Sequence, residues 1–153
     1  MKLAEALLER ADLQKKVEQL QSRIVAAASY QEGEPPAEDA AELLQQSLRA
    51  IAALEVLVTA INLTNASTVA SDGRTLTALL SSREALRLQH SVLSRAAEAA
   101  SGGWNQRQLR SELRQVAALP VAELRAQADV VAKQVRELDV VIQRTNWEAD
   151  LQQ

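Results

Sequence analysis

The chain of 153 residues contains no cysteine, no phenylalanine and a single histidine, His90. Without cysteine there is no disulfide framework, no thiol nucleophile and no thiolate metal site. One histidine excludes the carboxylate-bridged di-metal bundle, which needs a Glu-x-x-His pair on each of two helices. Neither an HExxH pair, a glycine-rich phosphate loop nor a nucleophile elbow occurs. No cofactor or metal is therefore expected, and no catalytic residue is assigned. Aromatic residues are only 2% of the chain, namely Tyr30, Trp104 and Trp147. Burial must then come from Leu, Val, Ile and Ala, a palette that favours helices and lets them approach closely.

Long apolar runs are also missing. Met1 to Leu20 is charged every few residues and lacks the apolar core of about 7 to 15 residues that an export signal carries. No segment approaches the roughly 18 consecutive apolar residues of a membrane span. A cytoplasmic location is the expectation, with a membrane role disfavoured. The net charge is −3, with acids and bases interspersed, and Lys15 and Lys16 are surrounded by Glu9, Asp12 and Glu18. Such mixing gives no electrostatic footprint for nucleic acid.

What is present is a rhythm. Hydrophobic residues make up 47% of the chain, and they recur alternately three and four apart, as on one face of a helix packed against others. Leu3, Ala6, Arg10, Leu13, Val17, Leu20, Ile24 and Ala27 predict a first helix over about 3–29. Gly33, Pro35 and Pro36 break it, and Pro36 suits the first turn of a second helix over about 37–65. That helix carries the stripe Leu44, Leu48, Ile51, Leu54, Val58, Ile61 and Asn65, widened by Leu43 and Leu57. Asp72-Gly73 marks a turn, with Asp72 or Thr75 capping the next helix.

Leu76, Leu79, Arg83, Leu86, His90, Leu93, Ala97 and Ala100 predict the third helix, over about 75–100, stopped by Gly102 and Gly103. The fourth begins near Pro120 and runs to about Asp150 on Leu124, Ala128, Val131, Val135, Leu138, Ile142, Thr145 and Ala149. The expectation is an all-α single domain, 1–153, of four long antiparallel amphipathic helices, each about 40 Å long, arranged as a bundle or as paired helical hairpins. Around 110–118 the spacing also admits a short extended segment. Apolar residues outside the stripes, among them Leu7, Leu8, Leu80, Leu88, Val130, Val140 and Val141, exceed what one two-helix seam covers. An intramolecular four-helix bundle would use them, and so would two hairpins that assemble with neighbouring chains; the homo-oligomer is the favoured expectation.

Polar residues interrupt the stripes at Arg10, Asn65, Arg83, His90 and Thr145, with Asn62 and Asn146 beside them. Buried polar groups must be paired. In up-down-up-down order, Arg10, Asn62, Asn65, Arg74, Arg83, Asn146 and Trp147 fall at one end, together with Glu148 and Asp150. One reading is that they fix register and cap helix ends. The other is a pocket in which arginine forks hold a small anion, a carboxylate or phosphate, near Trp147. His90 reads as a hydrogen-bonded core residue and Trp104 as a loop anchor. The Asn62-Leu63-Thr64 and Asn65-Ala66-Ser67 acceptor patterns are taken as accidental, there being no export signal.

Several segments taken together, LAEALLERADLQKKVEQLQSRI (3–24), INLTNAST (61–68), DGRTL (72–76), REALRLQHSVL (83–93) and RELDVVIQRTNWEADL (136–151), resemble the septicolysin-like family of small bacterial proteins. The resemblance covers nearly the whole chain. Ser111-Glu112-Leu113-Arg114 is similar to a family segment that reads as extended. The family name implies a membrane-active, pore-forming cytolysin, whereas the residues imply a cytoplasmic interaction protein that binds itself, another protein or a small anion. An enzyme using the Arg and Asn residues is a third alternative, without a nameable reaction.

Overall fold

The computed structural model describes residues 1–102 and 116–152. It contains four helices, α1 (Leu3–Ala27), α2 (Ala40–Ser67), α3 (Leu76–Ala100) and α4 (Val121–Glu148). The fold is all-α, and among the described residues the only bridges of β type are two isolated ones, Lys2 with Asp150 and Val69 with Thr75. The extended segment expected around 110–118 lies mostly outside the described residues. At its described end, residues 116–118 form no strand.

Local chemistry explains the helix bounds. Asp39 caps α2 by accepting from the backbone N–H of Ala41 (2.8 Å) and Glu42 (3.3 Å), so the helix begins at Ala40 and not at the expected Ala37 just after Pro36. An acceptor that satisfies two orphan amides outweighs a proline merely compatible with a first turn. Thr75 caps α3 through Ala78 N–H at 3.3 Å. At the other end of α3, Gly102 adopts φ 88° and donates to Ala99 O, a left-handed stop that costs glycine nothing.

Contacts along the chain divide it into two compact units, Met1–Thr68 with Thr145–Gln153, and Val69–Arg144. In the first, α1 and α2 form an antiparallel hairpin. Leu20, Ala27 and Leu43 make its buried cluster, with Ile24 and Ala40 packed against it. Arg23 of α1 forks onto Glu38 just ahead of α2. In the second, α3 and α4 are antiparallel, since Arg83 and Arg87 near the start of α3 both reach Asp139 late in α4 (3.3 and 3.5 Å).

The stripes predicted for α1, α3 and α4 are buried or half-buried at every position. Helix α2 keeps its predicted stripe only in the second half, where Leu54, Val58 and Asn65 are half-buried and Ile61 is buried. Its buried side runs through Leu43, Ser47, Ala50, Leu57, Ile61 and Thr64, while Leu44, Leu48 and Ile51 are exposed. The cause is that α2 is apolar on more than one side, so spacing alone could not select the side that meets α1. The same excess of apolar residues corrects a second expectation. An 18-residue window of α2 has mean hydropathy 1.5, which makes this helix long and apolar enough to cross a membrane by length and composition.

Candidate functional site

The first unit contains both chain ends and holds them with a network of polar contacts. Leu3 N–H donates to Ala149 O and Leu151 N–H to Met1 O, both at 2.9 Å, which sets Lys2 opposite Asp150 in the isolated bridge. Lys2 Nζ lies 2.8 Å from Asp150 Oδ1 and 3.1 Å from Glu148 O. That ammonium holds the Asp150 carboxyl below its ordinary range, first through the hydrogen bond and then through its charge. At the start of α1, Glu5 accepts from Lys2 N–H at 2.7 Å, satisfying a donor that the helix leaves free.

Thr64 anchors the tail. It is fully buried. Its hydroxyl donates to Ala60 O (2.8 Å) and accepts from Gln152 N–H (2.9 Å), so both roles of one oxygen are used. Gln152 Nε2 adds a bond to Ser67 Oγ at 2.7 Å. The segment 61–68 therefore works through Thr64 and Ser67. The polar residues singled out by the spacing are instead Asn62 and Asn65, of which Asn62 is exposed and Asn65 half-buried. The signal that could have found Thr64 was the alternative phase Leu57, Ile61, Thr64.

Beside this latch lies an open cleft of about 780 Å³, wholly within the first unit. One side of α2 lines it with Ala53, Val56, Leu57 and Ala60, α1 contributes Glu9, and the chain ends contribute Met1 and Leu151. The lining is mainly aliphatic, with carboxylates at Glu9 and Glu55. Such a surface suits an apolar occupant carrying positive charge, because an unpaired carboxylate beside an apolar contact gains most from a cation.

The residues expected at one polar end fall in both units. Arg10, Asn62, Asn65, Asn146 and Trp147 belong to the first, Arg74 and Arg83 to the second. Arg10 is half-buried, and its Nε is buried with no hydrogen-bond partner. Asn146 is buried, whereas Trp147 is exposed and is no part of a closed pocket wall.

In the second unit, Arg74 forms part of a turn. Asp72 accepts from Arg74 N–H (3.1 Å), Nε (2.9 Å) and Nη2 (2.7 Å), and these bonds hold its carboxyl below the ordinary range. Ala70 N–H donates to Arg74 O and Gly73 N–H to Ala70 O, with Gly73 at φ 83°. The DGR segment thus builds the entry to α3, and Arg74 spends its guanidinium on Asp72. Arg83 joins α3 to α4 through Asp139, although its Nε is buried without a partner. His90 is half-buried. Trp104 lies outside the described residues.

Residues 10–151 match a family of unknown function, DUF6847. The chain belongs to that family. It is also similar to a functionally unknown conserved protein from Corynebacterium diphtheriae, whose crystal structure superposes with a TM-score of 0.93 at 39% identity over 99% of both chains. No curated protein matches. Neither the family's description nor that of the Corynebacterium diphtheriae protein uses the septicolysin name or assigns an activity.

Proposed function

We propose that this DUF6847 protein is a non-enzymatic cytoplasmic interaction protein that works as a homo-oligomer. One observation carries the reading: α2 leaves Leu44, Leu48, Ile51, Val56 and Leu63 exposed in the single chain. Scattered exposed leucines are ordinary, but these share one helix, and Val56 and Leu63 among them line the aliphatic cleft; exposed apolar residues gathered in this way mark contact sites. Native mass spectrometry of the protein purified from its own host tests this. The expected spectrum is an assembly of two or more chains, and a spectrum of single chains alone overturns it.

Small-anion binding is a finer reading, supported in the first unit by the unpartnered Nε of Arg10. Arginine binds carboxylate and phosphate with paired donors. Calorimetric titration with inorganic phosphate and with acetate should then give heat that Arg10→Met removes without loss of helicity. Equal heats from the two proteins reject the site.

The septicolysin-like reading, a membrane-active protein, draws support from the hydropathy of α2. Against it stands the use of one side of that helix in packing on α1, a contact insertion would break. Dose-dependent leakage from liposomes at submicromolar protein would favour it over the interaction reading.

A further inference from the structure

We infer that the outer side of α2 pairs with α2 of a second copy, antiparallel, about a twofold axis passing at Ala52. This rests on the reading of the protein as self-associating and specifies the surface, the direction and the register.

The buried positions of α2 centre on the line Leu43, Ala50, Leu57, Ile61 and Thr64. At 100° per residue the opposite side centres on Ala41, Gln45, Ala52, Thr59 and Leu63, flanked by Leu48 on one edge and by Arg49 and Val56 on the other, beyond which Ala60 and Ala53 turn back toward the buried side. All of these are exposed except Ala60, which is half-buried. Leu48 is 57% exposed, Val56 72% and Leu63 53%. Small residues at the centre allow two helices to approach closely, and larger apolar residues beside them supply the area to bury.

The order of residues on this side is close to self-complementary when reversed about Ala52. Leu48 comes level with Val56 of the second copy, Gln45 with Thr59, and Ala41 with Leu63. A twofold interface requires such reversal, because each surface must match itself.

Charge selects the same arrangement. Arg49 has no ion pair among the described residues, and neither have Glu9 and Glu55. Arg49 lies on the line of Ala53, Val56 and Ala60, the line that walls the cleft carrying Glu9 and Glu55. An axis perpendicular to α2 places this line beside its own copy, which delivers Arg49 of the second chain to the carboxylate-bearing cleft. A parallel pair would instead set Arg49 level with Arg49, where like charges repel.

The absence of native cysteine makes the register directly readable on the full chain, since a disulfide forms only when the two Cα atoms approach within about 7 Å. Ala52→Cys, on the axis, is expected to cross-link to a dimer under mild oxidation far faster than a Lys15→Cys control on exposed α1. Gln45→Cys alone should cross-link no faster than that control, while Gln45→Cys combined with Thr59→Cys should match Ala52→Cys. Arg49→Glu is expected to weaken association about tenfold and Glu9→Arg in the same chain to restore it, with unchanged circular dichroism. Rapid cross-linking of Gln45→Cys alone means a parallel pair and overturns the inference. An intact protein that is dimeric while Ala52→Cys cross-links no faster than the control overturns this surface and leaves self-association standing. A monomeric intact protein overturns both.

Discussion

Helices α2 and α4 are each 28 residues long, yet their apolar residues are laid out differently. In α4 the buried positions Ala128, Val131, Leu138 and Ile142 form a single stripe, and the opposite side carries Arg125, Asp129, Lys133, Arg136 and Glu137. In α2 only Glu42, Arg49 and Glu55 are charged, and apolar side chains occur on the buried and on the outer side. Charge dominates the outer side of α4, beside the exposed Val130 and Val140, and is sparse on that of α2. A helix whose outer side carries so few charges, at the expense of solubility, points to something that covers it.

The largest expected effect separates the two helices by concentration. Ile142→Ala removes a buried side chain and should lower folding stability by about 2 to 5 kcal/mol at any protein concentration, as measured by urea unfolding. Leu48→Ala should stay within about 0.5 kcal/mol of the parent in dilute solution and fall behind only as concentration rises, because association stabilises the folded state by mass action. Equal losses for both in dilute protein would remove the distinction between the helices.

The latch at the chain ends gives the next effect. Thr64→Val keeps the volume but leaves Gln152 N–H and one end of the tail without their acceptor, so stability should drop by about 1 to 2 kcal/mol. Hydrogen exchange at Leu3 and Leu151, whose amides bond across the two ends, should accelerate more than exchange at Leu138 in α4. Uniform acceleration would mean that the latch is not a local structure.

Asp39→Ala deletes the N-terminal cap of α2 and should cost about 1 kcal/mol. Removal of the Thr75 cap of α3, with its single 3.3 Å bond, should cost less. The smallest effect is with acid. The carboxyls of Glu38, Asp72 and Asp150 are all held below their ordinary range in the folded chain by Arg23, Arg74 and Lys2 respectively. The unfolded chain therefore binds more protons, the stabilisation is complete above the free carboxylate range of about 4, and it declines as pH falls below it. A thermal midpoint that rises on acidification from pH about 5 to 3 would contradict these pairings.

The sequence carried most of this fold. Three of the four stripes were legible because α1, α3 and α4 carry charge through most of the side away from the stripe, so the spacing favoured one solution despite strays such as Leu8, Leu88 and Val140. In α2 it had two. The rhythm through Leu44, Leu48 and Ile51 is regular, but it is not the side that packs on α1. The same slip hid Thr64, whose hydroxyl looked like an ordinary helix-end residue until the tail arrived at Gln152 from the far end of the chain. Contacts that distant in sequence leave no local spacing to read. Arg74 was legible as a charged residue, but its commitment to Asp72, two residues away, depends on the turn that Gly73 allows.

Sedimentation equilibrium of the intact, unmodified chain over roughly 1 to 100 µM, the range in which interfaces of modest size associate, bears most directly on the role given to α2. The prediction is a mass that climbs to twice the 16.7 kDa chain, with Val56→Arg holding it at the single-chain value while helicity is unchanged. A single-chain mass for the unmodified protein across that whole range would contradict it.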